Sequence, residues 1–234
     1  MINSVRTTVL AIANKNNFGY ISPNDFNLYA KQAQLDLFED YFYAYNAQIR
    51  KENARQSGTG YADITRGLAE VIDSFYTSYN SPEITGGSTS VRQTPSDYYL
   101  INDVVVGGVQ AERVNHNKIL MLNASNLTSP TLEYPAYVLQ DNSITVYPLL
   151  SGGVTVNITY IRYPRDPKWT YIDIASGEPV FDATASDYQD FELPLSDEPS
   201  LIMKILQYAG VSIREKDLVA FANNEELKEQ QQEQ

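Results

Sequence analysis

His116 is the only histidine in this 234-residue chain, and it stands between Asn115 and Asn117 in a polar stretch before the apolar run Ile119–Leu122. A Ser-His-Asp arrangement would have to use it, and a metal site with two histidines is impossible. Its setting reads as a solvated turn. Cysteine is absent, which removes thiol nucleophiles, thiolate metal ligands and disulfides together. Asp182, Asp187 and Asp190 are crowded enough to suggest a calcium ion. Their spacing is not that of an EF-hand loop, and no Glu closes a twelve-residue ring. A solvated acidic loop without metal is the expectation. Gly86-Gly87 lacks the Gly-Lys-Ser/Thr ending of a phosphate-cradling loop, and no G-x-G-x-x-G occurs. Three Asn-x-Ser/Thr triplets, at Asn123, Asn126 and Asn157, read as chance without a secretory route. No catalytic, cofactor-binding or metal-binding residue is assigned, and the chain is expected not to be an enzyme.

The remaining composition narrows the partners. Hydrophobic residues make up 43% and charged residues 20%, an ordinary globular balance with enough length for one large domain or two small ones. Net charge is −12, from 17 Lys and Arg against 29 Asp and Glu. A protein that grips nucleic acid neutralises phosphates with a surplus of cations, so duplex binding is not expected. DNA that passes without sticking remains compatible with an acidic surface. The 18 tyrosines, against 8 Phe and 1 Trp, fit surfaces exposed first and buried later in a complex. They equally fit a tyrosine-rich sheet core. No apolar run is long enough to span a bilayer. The opening MINSVRTTVLAIANKNN carries a short apolar patch at Val9–Ala13 but no small-residue cleavage site, so it does not read as a signal peptide.

Helical spacing dominates the first third. Val5, Val9 and Ile12 make one stripe on a helix from about Ser4 to Asn16, and Gly19 breaks it. Ser22-Pro23-Asn24-Asp25 is a helix start, with Ser22 as N-cap, Pro23 at the first helical position and Asp25 at the positive end of the dipole. Phe26, Ala30, Ala33, Leu37, Tyr41 and Ile49 continue that helix to about Gln56, with Phe38, Phe42 and Tyr45 as a second stripe beside it. So broad an aromatic flank needs more than one neighbour. After the Ser57–Gly60 break, Asp63 caps a third helix carrying Ile64, Leu68, Val71, Ile72 and Phe75.

Strand spacing takes over near Tyr98. Tyr98–Ile101, Val104–Val106 and Ile119–Leu122 are short β-rich runs. Ala136–Leu139, the Gln140–Ser143 turn, Ile144–Tyr147, the Ser151–Gly153 turn and Val154–Ile161 describe an antiparallel meander. Ile144, Val146, Val154, Val156, Ile158 and Tyr160 fall on one face. Pro164 and Pro167 end the sheet. Helical grammar returns with Pro199 at a first helical position, an apolar face of Leu201, Ile202, Ile205 and Leu206, and Gly210 as C-terminal cap. Asp217–Ala222 adds a further turn, and Glu225–Gln234 is polar apart from Leu227.

The predicted fold class is therefore α+β. N- and C-terminal helices form a bundle, and a β-rich antiparallel meander lobe is inserted between them. The predicted divisions are a helical region over 1–80, a flexible loop over 81–97, the β-rich lobe over 98–172, an acidic irregular loop over 173–198, a C-terminal helical region over 199–222 and a polar tail over 223–234. Within 214–234 the apolar residues Leu218, Val219, Phe221 and Leu227 are candidates for docking on a partner. The rest of that segment is too polar to offset an ordering cost of roughly 1–2 kcal/mol per residue by itself.

Two segments carry a family resemblance. The block Val9–Phe42, with its Gly19-Tyr20-Ile21-Ser22-Pro23 break and Phe26/Ala30/Ala33/Leu37 helix, is one. The other is Tyr137–Pro167, with Ile144-Thr145-Val146-Tyr147-Pro148, a Gly turn and Tyr160-Ile161-Arg162-Tyr163-Pro164. Together they resemble the head-to-tail adaptor, or connector, proteins of short-tailed bacteriophages. The N-terminal block and Phe191-Glu192-Leu193-Pro194 are most similar to structural ring proteins of crAss-like gut phages. The acidic stretch Asp173–Asp190 and the Ser/Gly-rich loop have no counterpart in that pattern. What the resemblance implies is a virion protein of the neck or tail, assembled in the host cytoplasm. It would form a ring, commonly of twelve copies, that touches the portal protein and other tail proteins and surrounds the DNA channel. It would need no cofactor and no membrane. Two other classes stay open at this stage: a cell-surface binding or adhesion module, and an acidic carbohydrate-active enzyme with a carboxylate pair.

Overall fold

Ser22 begins the longest helix as its sequence anticipates. Its Oγ accepts the Asp25 N–H at 3.1 Å and donates to the Asp25 carboxylate at 2.6 Å, and Pro23 is the first helical residue. The computed structural model describes residues 1–14, 21–53, 62–84, 90–150, 153–173 and 179–213, with the backbone alone for 51–53, 62–65 and 211–213. It divides into two units: Met1–Val71 together with Pro164–Gln234, and Ile72–Tyr163. The class is α+β, with both chain ends in a helical unit and a β lobe inserted between them.

The helical unit is built from α1 (Ile2–Ala13), α2 (Pro23–Asn53) and a C-terminal helix over Glu198–Ile213. α1 and α2 both pack against that last helix. Ile2, Val5 and Val9 meet the core from α1, Phe26, Ala30, Ala33 and Phe38 from α2, and Leu201, Ile205, Leu206 and Ala209 from the last helix. These are the i, i+3, i+4 stripes that helical geometry places on one face. Helix α3 (Ala62–Asp73) leads into the second unit.

That unit contains two four-stranded sheets. One has the order β1 (Tyr76–Asn80), β8 (Val156–Arg162), β3 (Tyr98–Val106), β4 (Val109–Gln110). The other runs β2 (Val91–Gln93), β7 (Ser143–Tyr147), β6 (Ala136–Gln140), β5 (Glu112–Arg113). Every pairing is antiparallel except β5 with β6. Ile101, Val104, Val106, Val156, Ile158 and Tyr160 from the first sheet share a core with Tyr137, Ile144 and Val146 from the second. The predicted one-sided face of Ile144, Val146, Val154, Val156, Ile158 and Tyr160 is thus the inside of a sandwich. Helix α4 (His116–Asn123) covers the other face of the second sheet through Ile119, against Ala136 and Val138. Burial on both faces explains why Ala136, Tyr137 and Val138 are all buried in succession. Gly107 and Gly108, with φ of +57° and +91°, make the tight β3–β4 turn that β-carbons would oppose.

Several expectations need correction. The Gln140–Ser143 hairpin forms, but the third run of the meander leaves it: β8 pairs with β1 and β3 in the other sheet. Pro148, which has no N–H to donate, ends β7, and Leu150 is buried with its N–H on Ser90 Oγ at 2.7 Å. Ile119–Leu122 is helical, because its short apolar run has no period of its own and packing decides it. The two runs Tyr98–Ile101 and Val104–Val106 are one strand, interrupted by register shifts around Tyr98/Leu100 and Ile101/Asp103.

The divisions shift accordingly. β1 lies inside the helical region predicted over 1–80, and β2 inside the loop predicted over 81–97. The β lobe ends at Tyr163, and a hairpin of β9 (Tyr171–Asp173) and β10 (Pro179–Phe181) belongs to the helical unit. Asp63 falls within the first turn of α3 and does not precede it. The last helix begins at Glu198, one residue before Pro199, and we number it α5. Gly210 is a buried residue inside α5 and not its C-terminal cap. The Gly19, Ser57–Gly60 and Gly86-Gly87 breaks and the segment 214–234, with Leu218, Val219, Phe221 and Leu227, lie outside the described residues. No described helix is long and apolar enough to cross a membrane.

Candidate interaction surfaces

The three aspartates that suggested a metal site are each held by a separate structural partner. Asp182 accepts the Thr184 N–H at 2.8 Å and its hydroxyl at 2.6 Å, the Thr184 hydroxyl and N–H together lowering its pKa. Asp187 is paired with Lys168 Nζ at 2.5 Å, which likewise holds it below the usual carboxylate range. Asp190 is the most embedded of the three. Partial burial would raise its pKa, but the Met1 ammonium at 2.9 Å and the N–H groups of Ile2 and Phe191, at 2.7 and 2.8 Å, bring it down. Asp190 therefore caps α1 from the far end of the sequence. Among the described residues no group of His, Asp and Glu is arranged to hold a metal ion.

His116 is exposed at the first turn of α4, beside Arg113 in a shallow depression. Trp169 is buried and offers no face to a ligand. Arg6 lies 3.7 Å over its ring, Tyr171 and Phe181 stack on it at 5.6 and 5.9 Å, and its Nε1 donates to Asn3 Oδ1 at 3.1 Å. Asn27 adds both halves of a strand-like pairing, with its Oδ1 accepting the Trp169 N–H and its Nδ2 donating to the Trp169 carbonyl. Gln34, also buried, donates to the Arg165 carbonyl at 2.7 Å and accepts the Glu192 N–H at 3.0 Å. These residues fix the irregular return of the chain beside α2.

Seven of the described cations are similarly occupied. Lys31, Lys168 and Lys204 pair with Asp166, Asp187 and Asp40, while Arg66, Arg92, Lys118 and Arg165 pair with Glu70, Glu83, Glu112 and Glu192. Most of these pairs are exposed and add little stability. Their consequence is for binding, since a cation already facing a carboxylate is a poor anchor for a phosphate.

What remains uncovered is apolar surface and strand edge. In the β lobe, Leu120 and Met121 project from α4, and Leu127 and Tyr134 follow in its loop, at 94% and 79% exposure. In the helical unit, Ile172 and Val180 face each other across the β9–β10 hairpin and are both exposed. Tyr43, on α2, is 76% exposed. Tyrosine occurs in both settings, since Tyr137 and Tyr160 are core residues of the sandwich while Tyr43 and Tyr134 are exposed. Strand β1 lies at the end of its sheet, paired on one side with β8. The residue types along β1 and α4 carried no sequence signal for a surface, because edge and face are decided by which strand lies outermost. In comparison with known families and with curated protein sequences, no family model and no curated protein matches this chain.

Proposed function

We propose that this chain is a structural subunit of a ring in the neck or tail of a short-tailed bacteriophage particle, touching the portal and tail proteins and surrounding the DNA channel. The observation that carries the reading is the disposition of its side chains. Asp182, Asp187, Asp190, Trp169, Asn27 and Gln34 are consumed in holding the fold, while apolar side chains and a strand edge stay uncovered. An enzyme concentrates perturbed titratable groups in a cleft. Here Asp182, Asp187 and Asp190 each answer to a different neighbour. Uncovered apolar faces of this kind mark surfaces that another protein buries. The helical bundle with an inserted β lobe agrees with the resemblance to connector proteins. The surplus of carboxylates, and the acids set against Lys31, Lys168 and Arg165, suit a channel wall that does not hold DNA.

Electron microscopy of the purified chain, with native mass spectrometry, tests the reading directly. Closed rings of uniform copy number, commonly twelve, are expected. A monomer at all concentrations up to those of assembly would overturn it. A gel-shift assay at physiological salt is expected to show no retention of duplex DNA, and tight, salt-sensitive binding would contradict the non-adhesive channel.

A further inference from the structure

The hydrogen bonds of β1 define its open edge residue by residue. Arg162 donates its N–H to the Phe75 carbonyl, and Ser81 donates to the Val156 carbonyl. Backbone direction alternates along an antiparallel strand, so Thr77 and Tyr79 also face β8, across from Tyr160 and Ile158. Tyr76, Ser78 and Asn80 consequently turn their N–H and C=O groups away from the sheet, and among the described residues no backbone group pairs with them. Proteins usually protect such an edge with Lys, Pro or a bulge. The strand Tyr76-Thr77-Ser78-Tyr79-Asn80 contains no charge and no proline, and its register with β8 is unbroken. In a chain of net charge −12, it is a place where another strand can approach without bringing carboxylates together.

The sequence beyond α5 contains a segment suited to that edge. Between Arg214-Glu215-Lys216-Asp217 and Asn223-Asn224-Glu225 lies the uncharged run Leu218-Val219-Ala220-Phe221-Ala222, which equals β1 in length. Such a run is too short to hold a helix by itself. As a strand it would place Val219 and Phe221 on one side and Leu218, Ala220 and Ala222 on the other. The side next to Tyr79, which packs on the sandwich core, is the one that large side chains would cover.

We propose that the open edge of β1 receives the segment Leu218–Ala222 of a second copy of this chain as an added strand. The inference rests on the reading of the chain as a self-assembling subunit and names the contact. An edge on one copy and a segment of the next are different surfaces, so the contact is heterologous, and a succession of them closes a ring when the rotation permits. Main-chain hydrogen bonds would supply affinity, and the side chains beside Tyr79 would supply register.

Two full-length variants and their mixture test it by sedimentation and native mass spectrometry. Ser78→Pro removes an outward N–H and leaves the bonds to β8 intact, with Ser78→Glu as a second version that keeps the backbone. V219D/F221D disables the segment. Each variant alone is expected to remain monomeric with a wild-type circular dichroism spectrum. An equimolar mixture is expected to form a one-to-one complex that grows no further, because one copy retains the edge and the other the segment. Rings formed by Ser78→Pro or Ser78→Glu would overturn this contact while leaving the ring reading standing. A mixture that stays monomeric would also overturn it. A wild-type chain that never self-associates would remove both.

Discussion

The helical unit and the β lobe are each stabilised internally by different means. In the helical unit, polar side chains reach backbone far away in sequence: Asn27 to Trp169, Gln34 to Arg165 and Glu192, Asp190 to the start of α1. In the β lobe, strand ladders meet most backbone groups, with Ser81, Ser90 and Arg92 serving connections, and hydrophobic burial between two sheets dominates, with Val104, Ile144, Val146, Val156 and Ile158 fully enclosed. The cause is local geometry. Sheet strands satisfy most of their own backbone groups and need only an apolar face, whereas the return from Pro164 to Asp197 has only the short β9–β10 ladder and the Lys168–Gln189 bridge. Much of its remaining backbone is met by side chains, and those side chains become structural.

The largest expected effect tests the hub of the helical unit. Trp169→Ala should cost about 3–5 kcal/mol by urea denaturation, from lost burial and the cavity left under Arg6, Tyr171 and Phe181. Hydrogen exchange should show the loss of protection centred on the helical unit. If protection falls first in the β lobe, this division of labour is wrong. Ile158→Ala, in the middle of β8, is the counterpart in the sandwich. It should cost about 2–5 kcal/mol, with exchange quickening in β1, β3 and β8.

Gln34→Leu sharpens the contrast, since it keeps the apolar bulk and deletes only the amide. Leaving the Arg165 carbonyl and the Glu192 N–H without partners should cost about 1–3 kcal/mol, read from the denaturation midpoint at constant slope. An unchanged midpoint would mean that water replaces the amide at no cost.

The smallest effects are in pH dependence, and they differ in direction. Asp190 is held below its ordinary pKa in the folded chain, so its contribution is present above the unfolded value near 3.9 and is lost as pH falls through the folded one. Asp190→Asn should therefore lower the thermal midpoint at neutral pH and converge with wild type in acid. In the β lobe, burial first and then the hydrogen bond to Asp97 push Tyr160 up to about 12. Its contribution is whole below the unfolded value near 10 and fades as pH rises toward 12. Tyr160→Phe should flatten that alkaline decline, and an identical decline in the variant would assign it elsewhere, with Tyr188 also raised by burial.

Local signals in the sequence specify much of the architecture and little of the surface. Ser22-Pro23-Asn24-Asp25 states a helix start whatever surrounds it, because the cap, the fixed φ of proline and the first-turn carboxylate act within four residues. Asp141-Asn142 states a hairpin for the same reason, with Asp141 at φ of +44°. The alternation of Val156, Ile158 and Tyr160 states a buried face without saying which strand lies opposite. That partner, β1 on one side and β3 on the other, emerges only when both sheets close on one core. Ile119–Leu122 became a helix because a second apolar face of β6 needed covering, a demand that comes from outside the segment. Asp190 could not be recognised as the cap of α1 across 188 residues, nor Asn27 as a strand edge for Trp169. Short-range hydrogen bonds and periodicity are written in neighbouring residues. Pairing, capping at a distance and the identity of the open edge depend on which surfaces meet when the chain folds, and only the tertiary structure decides that.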